Sequence, residues 1–192
     1  MDKLKFLNTE INYIKNEKYK DNLKILIELL PDYFFEVAAS STGKYHPSYA
    51  LGNAGLLRHT KAAAKIALEL TKNNTIGSAF NQDEKDLMII ALILHDGLKL
   101  GLKKEKYTRF DHPIIMANYI KENKDKLTLD EKEIEFIAKC IETHMGEWTT
   151  DYDGNEVLEK PKNKYQKFVH MCDFLASRKF LEVPFENNEI IE

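Results

Sequence analysis

Four histidines and two aspartates in this chain have the types and positions to bind metal ions. His59, His95, His112 and His144 each fall at or near the start or end of a helical segment, Asp96 follows His95 directly, and Asp173 lies within the last long helical segment. Neutral imidazole and carboxylate are the usual ligands of iron, manganese, zinc or nickel. Six such groups drawn from five helices would suffice to surround one or two divalent ions inside a bundle. A single His at a helix end is more commonly a cap or a satisfied polar contact, and many carboxylates are simply solvated. Asp96 is different, because it closes the apolar run Leu87–Leu94. Burying its charge beside His95 without a cation would be costly.

Nearby side chains suit a phosphate-bearing ligand. Lys99 is three residues after Asp96 and four after His95. On a helix it faces the same side, where its ammonium would reach a phosphate oxygen, although a Lys at a helix C-terminus is also favoured by the dipole alone. Lys103, Lys104, Lys106 and Arg109 follow before His112. Such a run is ordinarily a solvated face, but the guanidinium of Arg109 can grip phosphate at two points. Lys44 and His46 belong to a preceding loop that could close over the site. Trp148 offers a ring for stacking a base or for packing. His170, one turn before Asp173, is placed either to support a ligand or to lie on the surface.

Other chemistries lack their signatures. There is no HExxH and no GxSxG. The pair Gly43-Lys44 has Ala38 where a phosphate-binding loop needs its first Gly, and Tyr45 where it needs Ser or Thr. Asp151, Asp153 and Asn155 open like a calcium loop, but Glu156 replaces its turn glycine and Lys162 its closing glutamate. Cys140 and Cys172 form neither a disulfide framework nor a metal-finger spacing, so a reduced, cytoplasmic setting is expected.

The elements that must position these groups read as helices throughout. Leu4, Leu7, Ile11 and Ile14 mark an amphipathic stripe, and a second helix carrying Leu23 to Leu30 stops at Pro31. Residues 39–54 read as a loop, followed by a helix from Gly55 to about Lys72. Asn81 with Glu84 predicts a capped start for the run 87–94, whose nearly all-round apolar surface makes it the central helix. Pro113 suits the first turn of a helix over about Asp111 to Glu122. Thr128 with Glu131 predicts the cap of the next, which carries Ile134, Ile137 and Ile141. Residues 147–163 read as a loop, and the last helix runs from about Lys164 to Leu181. No heptad is sustained, so the expected architecture is an all-α orthogonal bundle.

Of the 192 residues, 43% are apolar and 31% charged, the profile of a globular protein. The 28 basic and 31 acidic side chains nearly cancel, which gives no support for a dedicated binder of long duplex nucleic acid. No apolar run approaches the roughly 18 residues needed to span a bilayer, and the first residues lack the apolar core of a signal peptide. No membrane partner is expected.

The order His59, His95-Asp96, Asp173 resembles the H…HD…D order of the HD superfamily of metal-dependent phosphohydrolases. Gly55-Leu56-Leu57-Arg58-His59-Thr60 is similar to the GLLxHT segment of HD domains in bacterial 3′–5′ exoribonucleases and related phage and bacterial proteins. Ile93-Leu94-His95-Asp96-Gly97-Leu98-Lys99 resembles their LHDxGK segment, and the loop Ser40 to Pro47 the stretch before their first His. One departure is that the Gly usually placed just before the Lys stands at Gly97, with Leu98 in its place. The resemblance implies one domain, with a helical extension over residues 1–38, an HD core over 39–182 and a tail over 183–192, and a metal site between the central helices.

By the same resemblance, His59, His95, Asp96 and Asp173 would hold one ion and Asp96, His112 and His144 a second. Iron or manganese is expected, with magnesium, nickel, cobalt or zinc as alternatives. Two ions roughly 3.5–4 Å apart can share one hydroxide and hold a phosphoryl oxygen in line with it. The expected activity is therefore hydrolysis of a phosphate ester in a nucleotide, cyclic nucleotide or short oligonucleotide. Asp96 and Lys99 would be catalytic, and Lys99, Arg109, Lys44, His46 and Trp148 would contact substrate. One alternative, a di-iron oxygenase, shares the ligand set; the other is a non-catalytic HD module that binds a ligand, although such modules typically lose ligand residues and all six stand here.

Overall fold

The structure is a computed structural model and describes residues 1–40 and 43–191. Ser41 and Thr42, part of the loop compared above, and Glu192 lie outside the described residues. The helices are α1 (Lys3–Phe6), α2 (Asn8–Ile11), α3 (Glu17–Leu29), α4 (Gly55–Lys72), α5 (Asn74–Gly77), α6 (Gln82–Leu94), α7 (His112–Glu122), α8 (Glu131–Glu142) and α9 (Lys164–Ala176). A hairpin of β1 (Phe185–Glu186) and β2 (Glu189–Ile190) pairs Phe185 with Ile190. The fold is all-α, as the sequence predicts.

The centre of the bundle is α6. Its start is fixed by the predicted reciprocal cap between Asn81 and Glu84. Every residue from Asp86 to Leu94 is buried, each large apolar side chain contributing roughly 1.5–3 kcal/mol of burial free energy. Helices α4, α8 and α9 pack around it, α3 closes another side, and α7 lies against α8. Asp86, buried at the start of α6, accepts from the backbone N–H of Lys15 at 2.9 Å and of Asn16 at 2.7 Å, and from Gln82 at 2.7 Å. This carboxylate ties the N-terminal segment to the core.

Several local expectations are corrected. The first stripe is two single turns broken at Leu7, held by burial of Leu7, Ile11 and Ile14, since elements so short do not persist alone. The cap of α8 is Asp130 with Glu133, not Thr128 with Glu131. Thr128 is taken by Asn22, which accepts from its backbone N–H and donates to its hydroxyl, both at 2.8 Å. Helix α9 ends at Ala176, short of Leu181. The tail's hairpin turns on Asn187 and Asn188, both with positive φ, a type of turn that asparagine tolerates.

Candidate metal centre

Each of the six residues is placed by its helix. His59 lies on the second turn of α4, His95 caps the C-terminus of α6, and Asp96 follows it. His112 opens α7 behind the Asp111 cap, His144 comes two residues after α8, and Asp173 faces inward from α9. The five residues other than Asp173 are at most 2% exposed, and the Asp173 side chain is 16% exposed. Burial this complete is unusual for such polar groups unless they are partnered.

Their inner atoms converge. His59 Nε2 is 2.9 Å from Asp173 Oδ1 and 3.3 Å from His95 Nε2, and His95 Nε2 is 3.3 Å from Asp173 Oδ1. Asp96 Oδ2 approaches the same group, 3.5 Å from His95 Nε2 and 3.9 Å from His59 Nε2. The other oxygen, Oδ1, points the opposite way, 2.9 Å from His112 Nε2 and 3.7 Å from His144 Nε2. Those two imidazole nitrogens are 3.3 Å apart. Two overlapping groups of donors result, with Asp96 between them. His59, His95 and Asp173 form one compact set, and His95, Asp96 and His144 another.

The outer nitrogens settle what the inner ones offer. His95 Nδ1 donates to Leu92 O at 2.6 Å, His112 Nδ1 to Arg109 O at 2.6 Å, and His144 Nδ1 to Ile141 O at 2.8 Å. A neutral ring that donates from Nδ1 turns a lone pair inward from Nε2. His112 Nε2 and Asp96 Oδ1 are then two acceptors 2.9 Å apart, and Asp96 Oδ1 is buried without a hydrogen-bond donor. Ligand bonds of about 2.1 Å place neighbouring donors roughly 3.0–3.5 Å apart around one ion. The residues present therefore fit divalent cations in both type and spacing.

Electrostatics agree. Burial opposes the charge on Asp96, but Lys99, His95 and His112 outweigh it and hold its pKa well below the carboxylate range. Asp173 behaves alike, burial being overcome by His95 and His59. For His95, burial is outweighed by Asp96 and Asp173, which raise its pKa. His144 is pushed down to about 3 by burial and by the neighbouring His95, so it presents a lone pair at neutral pH.

The HD-domain family profile matches residues 56–177, more than half of the chain and the whole span from His59 to Asp173. The chain belongs to the HD-domain family. HD domains generally are metal-dependent hydrolases, and the His and Asp clusters here are of the kind that holds a divalent ion. No curated protein and no solved structure matches the chain significantly.

Beside the HD pair, Gly97 explains the departure noted in the sequence. A Cβ there would meet Leu30 Cδ2 at 2.6 Å and Met116 Sδ at 3.0 Å. A side chain at the turn after the HD pair would force Leu30 or Met116 to shift, and Leu98 is buried one residue on. Residues 95–104 form successive turns rather than a continuing helix, yet Lys99 still returns to the site, its Nζ 2.5 Å from Asp96 Oδ2.

A cavity of about 430 Å³ opens over the HD centre, lined by His59, Asp96, His112, His144 and Asp173. Of the expected substrate contacts, Lys99, His46 and Trp148 line it. The His46 ring centroid is 5.7 Å from that of His59, and burial pushes its pKa down to about 4. Arg109 does not reach the cavity. It donates to both carboxylate oxygens of Asp111 and to Glu105, and only its backbone carbonyl serves the site, by accepting from His112. Lys44 stands over the Tyr45 ring at 5.0 Å, outside the cavity wall, while Tyr45 lines it. Lys103, Lys104 and Lys106 are exposed away from it.

Sequence reasoning missed Thr108, Met145, Phe174, Ser177 and Arg178, which complete the lining. Phe174 adjoins Asp173 on α9, whereas Arg178 lies past the end of that helix, where helical spacing gives no signal.

Proposed function

We propose that this HD-domain protein is a metal-dependent phosphohydrolase that cleaves a phosphate ester of nucleotide size: a nucleotide, cyclic nucleotide or short oligonucleotide. The observation that carries this reading is the Asp96 carboxylate, one oxygen turned to His59 and His95 and the other to His112 and His144. That arrangement would suit two ions, one held by His59, His95, Asp96 and Asp173 and the other by Asp96, His112 and His144. Divalent cations so held would supply Lewis acidity, activating water and neutralising the charge that gathers on a phosphoryl group.

The chain's own residues set the rest. Carbonyls behind His95, His112 and His144 orient the rings before substrate arrives, so no reorganisation is needed at the reacting centre. Lys99 steadies Asp96 and presents its ammonium to the cavity, where it would bind a phosphate oxygen. His46, kept neutral at physiological pH, exchanges hydrogen bonds with substrate without adding charge. Trp148 and Met145 give the cavity an apolar wall suited to the uncharged part of a nucleotide.

The test is elemental analysis of protein purified without added metal, followed by a screen of phosphomonoesters, phosphodiesters and nucleotides with iron or manganese supplied. About two ions per chain and phosphate release are expected. Oxygen uptake by the ferrous protein with no phosphate release would replace this reading with the oxygenase one.

A further inference from the structure

The chain has three arginines, and two are fully engaged. Arg58 donates to the carbonyls of Tyr49 and Leu51 and to Asn188 Oδ1, and Arg109 is clamped by Asp111 and Glu105. Arg178 is different. Its guanidinium lies 4.2 Å from the Phe174 ring centroid and 5.9 Å from that of Trp148, and those two rings are stacked at 16° and 6.0 Å. Its Nε and Nη2 both donate to the single oxygen of Ser177. Among the described residues it meets no carboxylate, and its Nη1 donates to nothing.

This cation lines the same cavity as the Asp96 centre. It stands just past the end of α9, two residues after Ala176 and five after Asp173. A guanidinium laid against aromatic rings keeps the plane of its N–H fork fixed, and that fork matches the two oxygens of a phosphate. Holding the side chain on Phe174 also reduces the ordering cost of binding. Ionic steering alone would be served by a flexible surface Lys. A stacked Arg with unspent donors, beside Phe174, Trp148 and Met145, is built to read one anion at one place.

We propose that Arg178, stacked on Phe174 and Trp148, forms an anion subsite at the rim of the cavity that takes a second phosphate of the substrate. The preferred substrate then carries two phosphates, as in a nucleoside bisphosphate or a short oligonucleotide, rather than one. The inference rests on the phosphohydrolase reading, in which the first phosphate lies at the His and Asp centre.

The experiment offers adenosine 3′,5′-bisphosphate and adenosine 5′-monophosphate to the wild-type protein, R178K and R178Q, each loaded with Mn²⁺, and measures calorimetric binding and phosphate release. Wild type is expected to prefer the bisphosphate by roughly ten- to hundredfold, the worth of a charge-assisted pair. In R178Q that preference falls toward one, through binding and KM rather than kcat, and R178K keeps part of it because it retains the charge without the fork. The long stem of Lys continues to cover Phe174, so R178K also controls for folding. A preference ratio unchanged in R178Q, or no preference in wild type, overturns the subsite. Should neither nucleotide be hydrolysed, the binding ratio still decides the role of Arg178, and the wider substrate screen decides the phosphohydrolase reading.

Discussion

His170 Nδ1 donates to the backbone carbonyl of His144 at 2.7 Å, so a histidine on α9 holds in place the loop that carries a histidine after α8. The contact depends on Gly146. With φ at +68° and a virtual Cβ only 2.1 Å from His170 Cε1, no other residue can sit there without moving the ring. Gly146→Ala is expected to cost about 1–3 kcal/mol from backbone strain alone. It should also loosen His144, read as a lower midpoint in thermal unfolding together with a reduced metal content. Unchanged values for both would mean that the loop is not held this way.

Asp96 and His112 separate the two halves of the centre. Asp96→Ala removes the carboxylate that faces both groups, and is expected to abolish metal loading and phosphate release together while leaving helical circular dichroism intact. His112→Ala removes a ligand from one side only, and is expected to lower the metal content from about two ions per chain to about one. Elemental analysis of both variants checks the assignment. Equal losses from the two would point to a single ion.

Acid should strip the metal. The pKa of His95 lies above its ordinary 6.5 because Asp96 and Asp173 outweigh burial. A histidine binds metal only when its Nε2 is unprotonated, so protons compete more strongly as pH falls through that raised value. Apparent affinity is expected to be flat well above it and to weaken progressively below. Competition titrations with a chromophoric chelator at several pH values give the curve.

Away from the site, Lys61 is fully buried on α4, 3.2 Å from the equally buried Glu10 and 2.7 Å from Glu189 of the C-terminal hairpin. Burial raises the pKa of Glu10, and Lys61 partly offsets this. Lys61→Met strands the carboxylate, at an expected cost of about 3–5 kcal/mol at pH 8. Its pKa then rises further, so the folded state binds the proton more tightly than the unfolded chain does. Stability of the variant is therefore expected to fall as pH rises above the ordinary 4.5 toward the raised folded value, and to level off beyond it. Urea unfolding across that range measures it. A parallel pH course in wild type and variant would rule out the stranded carboxylate.

The sequence by itself determined the parts of this protein that act over one or two turns. The apolar run 87–94 and the Asn81–Glu84 cap specify a buried helix, Pro113 starts α7, and the HD pair stands where α6 must end. The six histidines and aspartates were legible by residue type and by resemblance, and the structure brings all six together. Local rules failed where partners are distant in the chain. Asn22 takes Thr128 across 106 residues while Asp130 caps α8, and Arg178, after α9, reaches the cavity beside His59 of α4 and His112 of α7. Only the packing of α4, α8 and α9 around α6, with α7 against α8, decides which oxygen of Asp96 faces which pair of rings, and that Lys61 is buried. Hydrophobic pattern and capping report a residue's own helix, whereas the direction in which a side chain meets groups from other helices depends on how those helices cross.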